Sequence, residues 1–303
     1  MGGSTTVSLE QRLPVWLETV PALLAHLKIS HVSLGSHSAG TIFLFNTIAT
    51  YPQFLHPKTP YAVLLAPWVH HSHSSVIIMK LSAMVPDTLV SNYWSSLCIG
   101  TAKIIQNTVN PAVASSSGAF GSLTALFKTD AMKGKSEREK AEVEAIFMEY
   151  FGMGVADKGV LDKLFLNYVF AEDTSGGNGE AMLCLKKGGA DNWGVCEDYM
   201  AFVPHLAEVW KKALRTSEDG AAAREVVVEM TKPKLKIEAY FAEDDIMIGK
   251  GGAEYFNECF SNPACADILE YKSYTVGGTN HDTIVHPAFG PIASMLEEVK
   301  RRW

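Results

Sequence analysis

Apolar residues at 9, 13, 16, 17, 20, 23, 24 and 27 recur at three- and four-residue spacing. That period predicts one amphipathic helix over 9–28. Pro14 and Pro21 fall inside it and would kink it or delay its start. A β-type run from His31 to Leu34 predicts a strand over 31–36, and the apolar stretch that follows predicts a helix over 39–50. Residues 61–69 form a near-continuous apolar run, the pattern of a strand buried on both faces. The resulting alternation of helix and strand implies a parallel sheet.

From about 71 to 230 the pattern changes. Strand-like runs disappear, and helical candidates cover 75–84, 92–105, 137–151, 160–170 and 197–213. The glycines of 174–194 predict a loop, and 217–224 reads as an exposed, charged connection leading into 225–231. Sheet signals then return: a strand over 235–242, a short helix over 252–260, a strand over 268–276, and a closing helix within 283–302 that becomes regular near Pro291. The expected organisation is a core in two parts, 1–70 and 231–303, interrupted by a helical insertion at 71–230.

Composition narrows the classes. The chain has 303 residues, 47% hydrophobic and 19% charged, enough for a large core. A net charge of −7 and the lack of any long basic run argue against nucleic acid or an acidic membrane as partner. Five dispersed cysteines without a CxxC pair give neither a disulfide framework nor a zinc pattern. No stretch reaches the ~18 apolar residues of a membrane span, so stable membrane insertion is not expected. With no secretory-type start and no N-x-[ST] site, the expectation is a cytoplasmic setting. Met1-Gly2-Gly3-Ser4-Thr5-Thr6 fits the loose myristoylation pattern, but a flexible small-residue start is the preferred reading.

The chemistry concentrates in three short segments. Ser36-His37-Ser38-Ala39-Gly40 lies between the predicted strand and helix, where small neighbours permit the strained turn that presents a hydroxyl. Ser38 would be the nucleophile. The N–H of Ala39, at the helix start, would face a developing oxyanion. A serine hydroxyl needs a base and a carboxylate that orients the base. The strand at 235–242 runs into Glu243-Asp244-Asp245, and the strand at 268–276 runs into Gly277-Gly278-Thr279-Asn280-His281-Asp282. On local grounds the acid is Asp244 or Asp245, and the base is His281 with His286 as runner-up.

Other groups carry weaker signals. His37, inside the turn, could equally line a pocket or pack. Among the aromatics of 71–230, which are more often core than ligand contacts, Trp193 after a glycine-rich loop is the pocket candidate. His70, His71 and His73 have metal-like spacing without an accompanying carboxylate cluster, so no metal is expected. Gly134-Lys135-Ser136 resembles the end of a phosphate loop, but Thr129 stands where a glycine is required.

In order and context these segments resemble the α/β-hydrolase fold family. The family's elbow has Gly where Ser36 stands, and its acid turn has Gly where Ala242 stands. The resemblance makes Asp245 the triad acid and His281 the base, and makes 71–230 the family's helical cap. It implies a parallel α/β-hydrolase core, a serine hydrolase working on an ester or similar acyl bond without cofactor, and a hydrophobic small-molecule substrate. Position 38 being Ser disfavours the family's Asp-nucleophile dehalogenases and epoxide hydrolases.

The family usually builds four strands before the elbow strand, and here about 30 residues precede it. The second oxyanion donor, which the family takes from a loop after its third strand, has no counterpart. The expected sheet is therefore N-terminally incomplete, as in a fragment of a longer chain. A partner chain completing the sheet or a degenerate fold are the other readings, and the exposed edge offers a route to a homodimer. Two alternatives stand beside the hydrolase: a catalytically impaired ligand-binding or interaction module, and an acyltransferase using the same three residues.

Overall fold

The computed structural model of the protein describes residues 5–94, 136–154, 175–189, 193–219 and 233–302, with isolated positions between 157 and 173. Its centre is a four-stranded, wholly parallel sheet. The strands are β1 (Leu34–His37), β2 (Tyr61–Leu65), β3 (Leu235–Ala242) and β4 (Leu269–Val276), adjacent in that order. Registers run Leu34 to Ala62, Tyr61 to Lys236 and Leu235 to Leu269. The fold is α/β.

The alternation along the two central strands explains how the sheet is covered. Ala62 and Leu64 of β2, with Leu235, Ile237, Ala239 and Phe241 of β3, face the main core. That core is closed by α2 (Gly40–Thr50), α6 (Tyr199–Asp219) and α7 (Gly249–Phe260). Tyr61, Val63 and Leu65, with Tyr240 and Ala242, face the other way, towards Ile292, Met295 and Val299 of α8 (Pro291–Arg302). A period of two therefore separates two cores on opposite faces of one sheet.

Lys236 and Glu238 sit on the α8 side of β3, buried despite their charge. Lys236 Nζ lies 2.7 Å from both Glu238 and Glu298 carboxylates, and the Tyr61 hydroxyl donates to Glu238 at 2.7 Å. Burial of these charges is sustained by mutual pairing and hydrogen bonds.

Helix α1 (Leu9–Leu27) forms with both prolines inside it, but only Leu24 is buried. Trp16 lies edge-on to Phe43 and donates from Nε1 to Thr47 Oγ1, while Val15, Leu23 and Leu27 stay exposed. The apolar stripe read from the sequence is real: one side meets α2, Leu9 packs against the main core, and Arg12 reaches the 175–184 segment. The edge strand β1 hydrogen-bonds to β2 alone among the described strands.

Within the 71–230 stretch the described helices include α3 (Ile77–Met84), α4 (Glu137–Phe151), α5 (Ser175–Cys184) and α6, and residues 87–94 are helical as well. The loop expected at 174–194 is a helix for its first half. Tertiary contacts outweigh the low helix propensity of its glycines: Arg12 of α1 bonds the Gly176 carbonyl and pairs with Glu180, and Ala181, Met182 and Leu183 are buried. Residues from Ala181 to Leu214 share a hydrophobic cluster with the sheet. The closing helix begins at Pro291, as the sequence suggested, after two 3-10 turns at Thr283–Val285 and Pro287–Phe289. The rest of the 92–105, 160–170 and 217–231 expectations lies largely outside the described residues. No described helix is long and apolar enough to cross a membrane.

Candidate active site

β1 ends at His37, and α2 starts at Gly40. The chain must reverse direction in two residues, and Ser38 takes the strain with φ at +52°. Non-glycine residues rarely occupy that region, and such strain concentrates at functional sites. The turn is pinned on both sides: Ser38 N–H donates to Leu65 O at 3.0 Å, and Ser38 O accepts from Thr41 N at 3.0 Å and Thr41 Oγ1 at 2.7 Å. A side chain at Gly40 would place its Cβ 3.2 Å from Ser36 Cβ, a tight approach that favours a bare residue at position 40.

The acid arrives on the loop after β3. Asp245 is buried, and its Oδ1 accepts N–H bonds from Met247 at 2.8 Å and Ile248 at 3.0 Å. Burial opposes ionisation of this carboxyl. The His281 hydrogen bond and charge, with the two backbone donors, prevail and hold it below the usual carboxylate range. Asp244 is exposed and gives its N–H to Thr279 O at 3.0 Å, a bond that ties the acid loop to the histidine loop.

The base arrives on the loop after β4. Asn280 Oδ1 accepts from Asp282 N at 3.1 Å and Thr283 N at 2.9 Å, and these local bonds brace the histidine loop as it enters the 3-10 turn beyond His281. His281 is 3% exposed, with Nδ1 2.8 Å from Asp245 Oδ2 and Nε2 2.7 Å from Ser38 Oγ. A carboxylate only accepts, so Nδ1 carries the proton and Nε2 is free to accept from the serine hydroxyl. Trp68 lies edge-on to the imidazole at 6.2 Å, fixed by its own Nε1 donating to Cys184 O. The geometry is a linear relay from Asp245 through His281 to Ser38. Thr41 and Ile42 spend their N–H groups within the turn, whereas the N–H of Ala39 enters none of its bonds.

The remaining candidates fall elsewhere. His37 does not simply line a pocket: its Nε2 donates to the His281 carbonyl at 2.7 Å, and burial lowers its pKa. Trp193 is 1% exposed, donates from Nε1 to Leu183 O at 2.7 Å, and packs in the main core. It borders a small cavity of about 70 Å³ with His70, Lys186 and Tyr255. His286 accepts from Ala288 N through Nδ1 and stacks on Phe147, away from the relay. His70, His71 and His73 shape a tight turn, and the described residues hold no group of three side chains suited to a metal. Ser136 is the N-cap of α4 in a capping box with Glu139.

Two clefts of about 630 Å³ lie away from the relay, one between β3, β4 and α8, the other beside α2 and α6. Cavity size alone would misplace the site, so the chemistry of the relay locates it. Sequence reasoning passed over Asn280, Trp68 and Ser74. Asn280 followed by a threonine three residues on was a readable capping signal.

Parallel strands thus carry Ser, Asp and His in that chain order beyond their C-terminal ends, with the serine on a strand-to-helix elbow. This arrangement resembles that of an α/β-hydrolase core. No protein-family model matches the chain, and no curated protein does. Solved structures similar to it include an alpha/beta hydrolase enzyme from a Medee basin deep-sea metagenome library, at 13% identity and TM-score 0.46 over 99% of this chain and 76% of that one. An esterase from a Rhodococcus species matches at 11% identity and TM-score 0.41, with the same coverage. An epoxide hydrolase from Bacillus megaterium matches at 9% identity and TM-score 0.42, over 98% of this chain and 79% of that one.

Proposed function

We propose that the protein is a serine hydrolase that cleaves an ester or similar acyl bond of a hydrophobic small molecule. The observation that carries this reading is the hydrogen-bonded relay of Asp245, His281 and Ser38, with Ser38 strained at the elbow. Ser38 Oγ attacks the acyl carbon while His281 Nε2 takes its proton. The tetrahedral oxyanion is met by the Ala39 N–H at the start of α2. Collapse breaks the bond to the leaving group, which receives the proton from His281, and leaves an acyl-serine. Water, deprotonated by the same imidazole, releases the acid and restores the serine. Asp245 keeps His281 in the tautomer that accepts from Ser38 and stabilises the imidazolium formed. The hydrophobic character of the substrate is carried over from the sequence, whose 71–230 stretch is rich in apolar residues.

A fluorophosphonate probe tests the reading. The wild type should be labelled at Ser38 and Ser38→Ala should not. An unlabelled wild type that also fails to hydrolyse aryl esters would overturn it in favour of a ligand-binding module. Product analysis with competing alcohols would expose an acyltransferase.

A further inference from the structure

Three polar or ring contacts fasten the segment after β2 onto the acid loop and the first turns of α7. His73 stacks on Tyr255 with ring centroids 3.5 Å apart and planes 6° apart. Ser75 Oγ accepts from Gly251 N at 3.1 Å. Ser74, 2% exposed, donates from Oγ to Met247 O at 3.0 Å and accepts from Val76 N at 3.1 Å. Met247 is also the residue whose N–H meets Asp245 Oδ1 at 2.8 Å. Ser74 therefore grips the residue that grips the acid.

The run Gly249-Lys250-Gly251-Gly252 shows why the approach is this close. A Cβ at Gly251 would stand 3.1 Å from His73 O and 3.2 Å from both Ser75 Cβ and N. The backbone of α7 must be bare there for the segment to lie on it.

We propose that Ser74 is a positioning residue for the triad acid: through Met247 it fixes the loop that aims Asp245 at His281, and so couples the entry of the 71–230 stretch to the relay. The inference rests on the function proposed above and concerns a residue that touches neither substrate nor reacting atoms. Acid position matters because an imidazole in the wrong tautomer or angle cannot accept from Ser38. The bond at Ser74 is one buried hydrogen bond, so its loss should lower kcat about 3- to 10-fold.

The test compares Ser74→Ala with Ser74→Thr in the full chain, using a p-nitrophenyl ester and the proton NMR signal of the His281 Nδ1–H that bonds Asp245. The expected result is a lower kcat with unchanged KM and a displaced or broadened signal in Ser74→Ala, both restored in Ser74→Thr. A merely structural serine would lower the melting temperature without moving that signal. If Ser74→Ala does not fold, Gly251→Ala displaces the same segment and should give the same pair of changes. Unchanged kcat and unchanged signal in a folded variant overturn the inference. If the wild type hydrolyses nothing, the hydrolase reading fails, and the NMR signal still decides whether Ser74 positions Asp245.

Discussion

His37 donates from Nε2 to the backbone carbonyl of His281 across 2.7 Å, joining the residue before the nucleophile to the backbone of the base. The two imidazole centroids are 5.2 Å apart. Burial lowers the His37 pKa and favours a neutral ring, so this neighbour holds the loop without adding a charge beside the relay. His37→Ala should lower kcat about 3- to 10-fold, the worth of one buried hydrogen bond, with KM unchanged. His37→Gln keeps an N–H donor and should recover most of the loss. Steady-state kinetics on an aryl ester read both, and equal activity in all three proteins would remove His37 from the positioning role.

Asp245 and Asp244 are adjacent in sequence and opposite in placement, which makes a pair of variants decisive. Asp245→Asn keeps the shape of a buried residue but removes the acceptor charge that sets the His281 tautomer, and should lower kcat by roughly 10⁴. Asp244→Asn alters an exposed side chain whose known tie to Thr279 runs through the backbone, and should stay within about twofold of wild type. The reverse ranking would move the acid role to Asp244.

Much of this was legible in the sequence because each signal was local. Ser38, Asp245 and His281 each follow their own strand within five residues, and strands announce themselves by composition. What the sequence hid was partnership. His37 looked like a wall of a pocket because nothing in the chain says that His281, 244 positions away, turns its carbonyl towards it. Trp193 follows a stretch that reads as a loop, but that stretch begins as a helix fastened by Arg12 from α1. Lys236 and Glu238 are charged residues within a strand, and nothing local says they are buried; their burial depends on Glu298, 62 and 60 residues further on.

Glu298 gives the fold a measurable acid sensitivity. Its burial would raise its pKa, but donors from Lys236, Arg301 and Arg302 prevail and bring it down to about 2. A carboxyl depressed in the folded state contributes stability that is fully present above its unfolded value near 4.3, and that is lost as pH falls towards 2. Glu298→Gln removes the charge at every pH. At neutral pH it should cost about 1.5–3 kcal/mol, the range for hydrogen bonds to charged groups. Urea unfolding across pH should show the gap between wild type and variant narrowing below pH ~4. A gap that stays constant into acid would mean that the Glu298 charge does not support the fold.

The elbow itself offers a prediction in which two substitutions should cancel. Ser36 Oγ is buried without a hydrogen-bond partner among the described residues, and the position where a Cβ of residue 40 would sit is 3.2 Å from Ser36 Cβ. Gly40→Ala therefore forces a methyl against a serine on a turn that is already strained, and overpacking of that kind costs about 1–3 kcal/mol. Ser36→Gly removes both the unpaired hydroxyl and the carbon that the new methyl would strike. Alone it should be close to neutral, because the lost hydroxyl offsets the added chain freedom of glycine in a strand. Combined with Gly40→Ala it should recover most of the loss in stability and in Ser38 labelling rate, a coupling expected only between residues in contact. Simple addition of the two single effects would mean that the methyl finds room elsewhere, and that the small residue at 40 serves the backbone at Ser38 instead of its neighbour at 36.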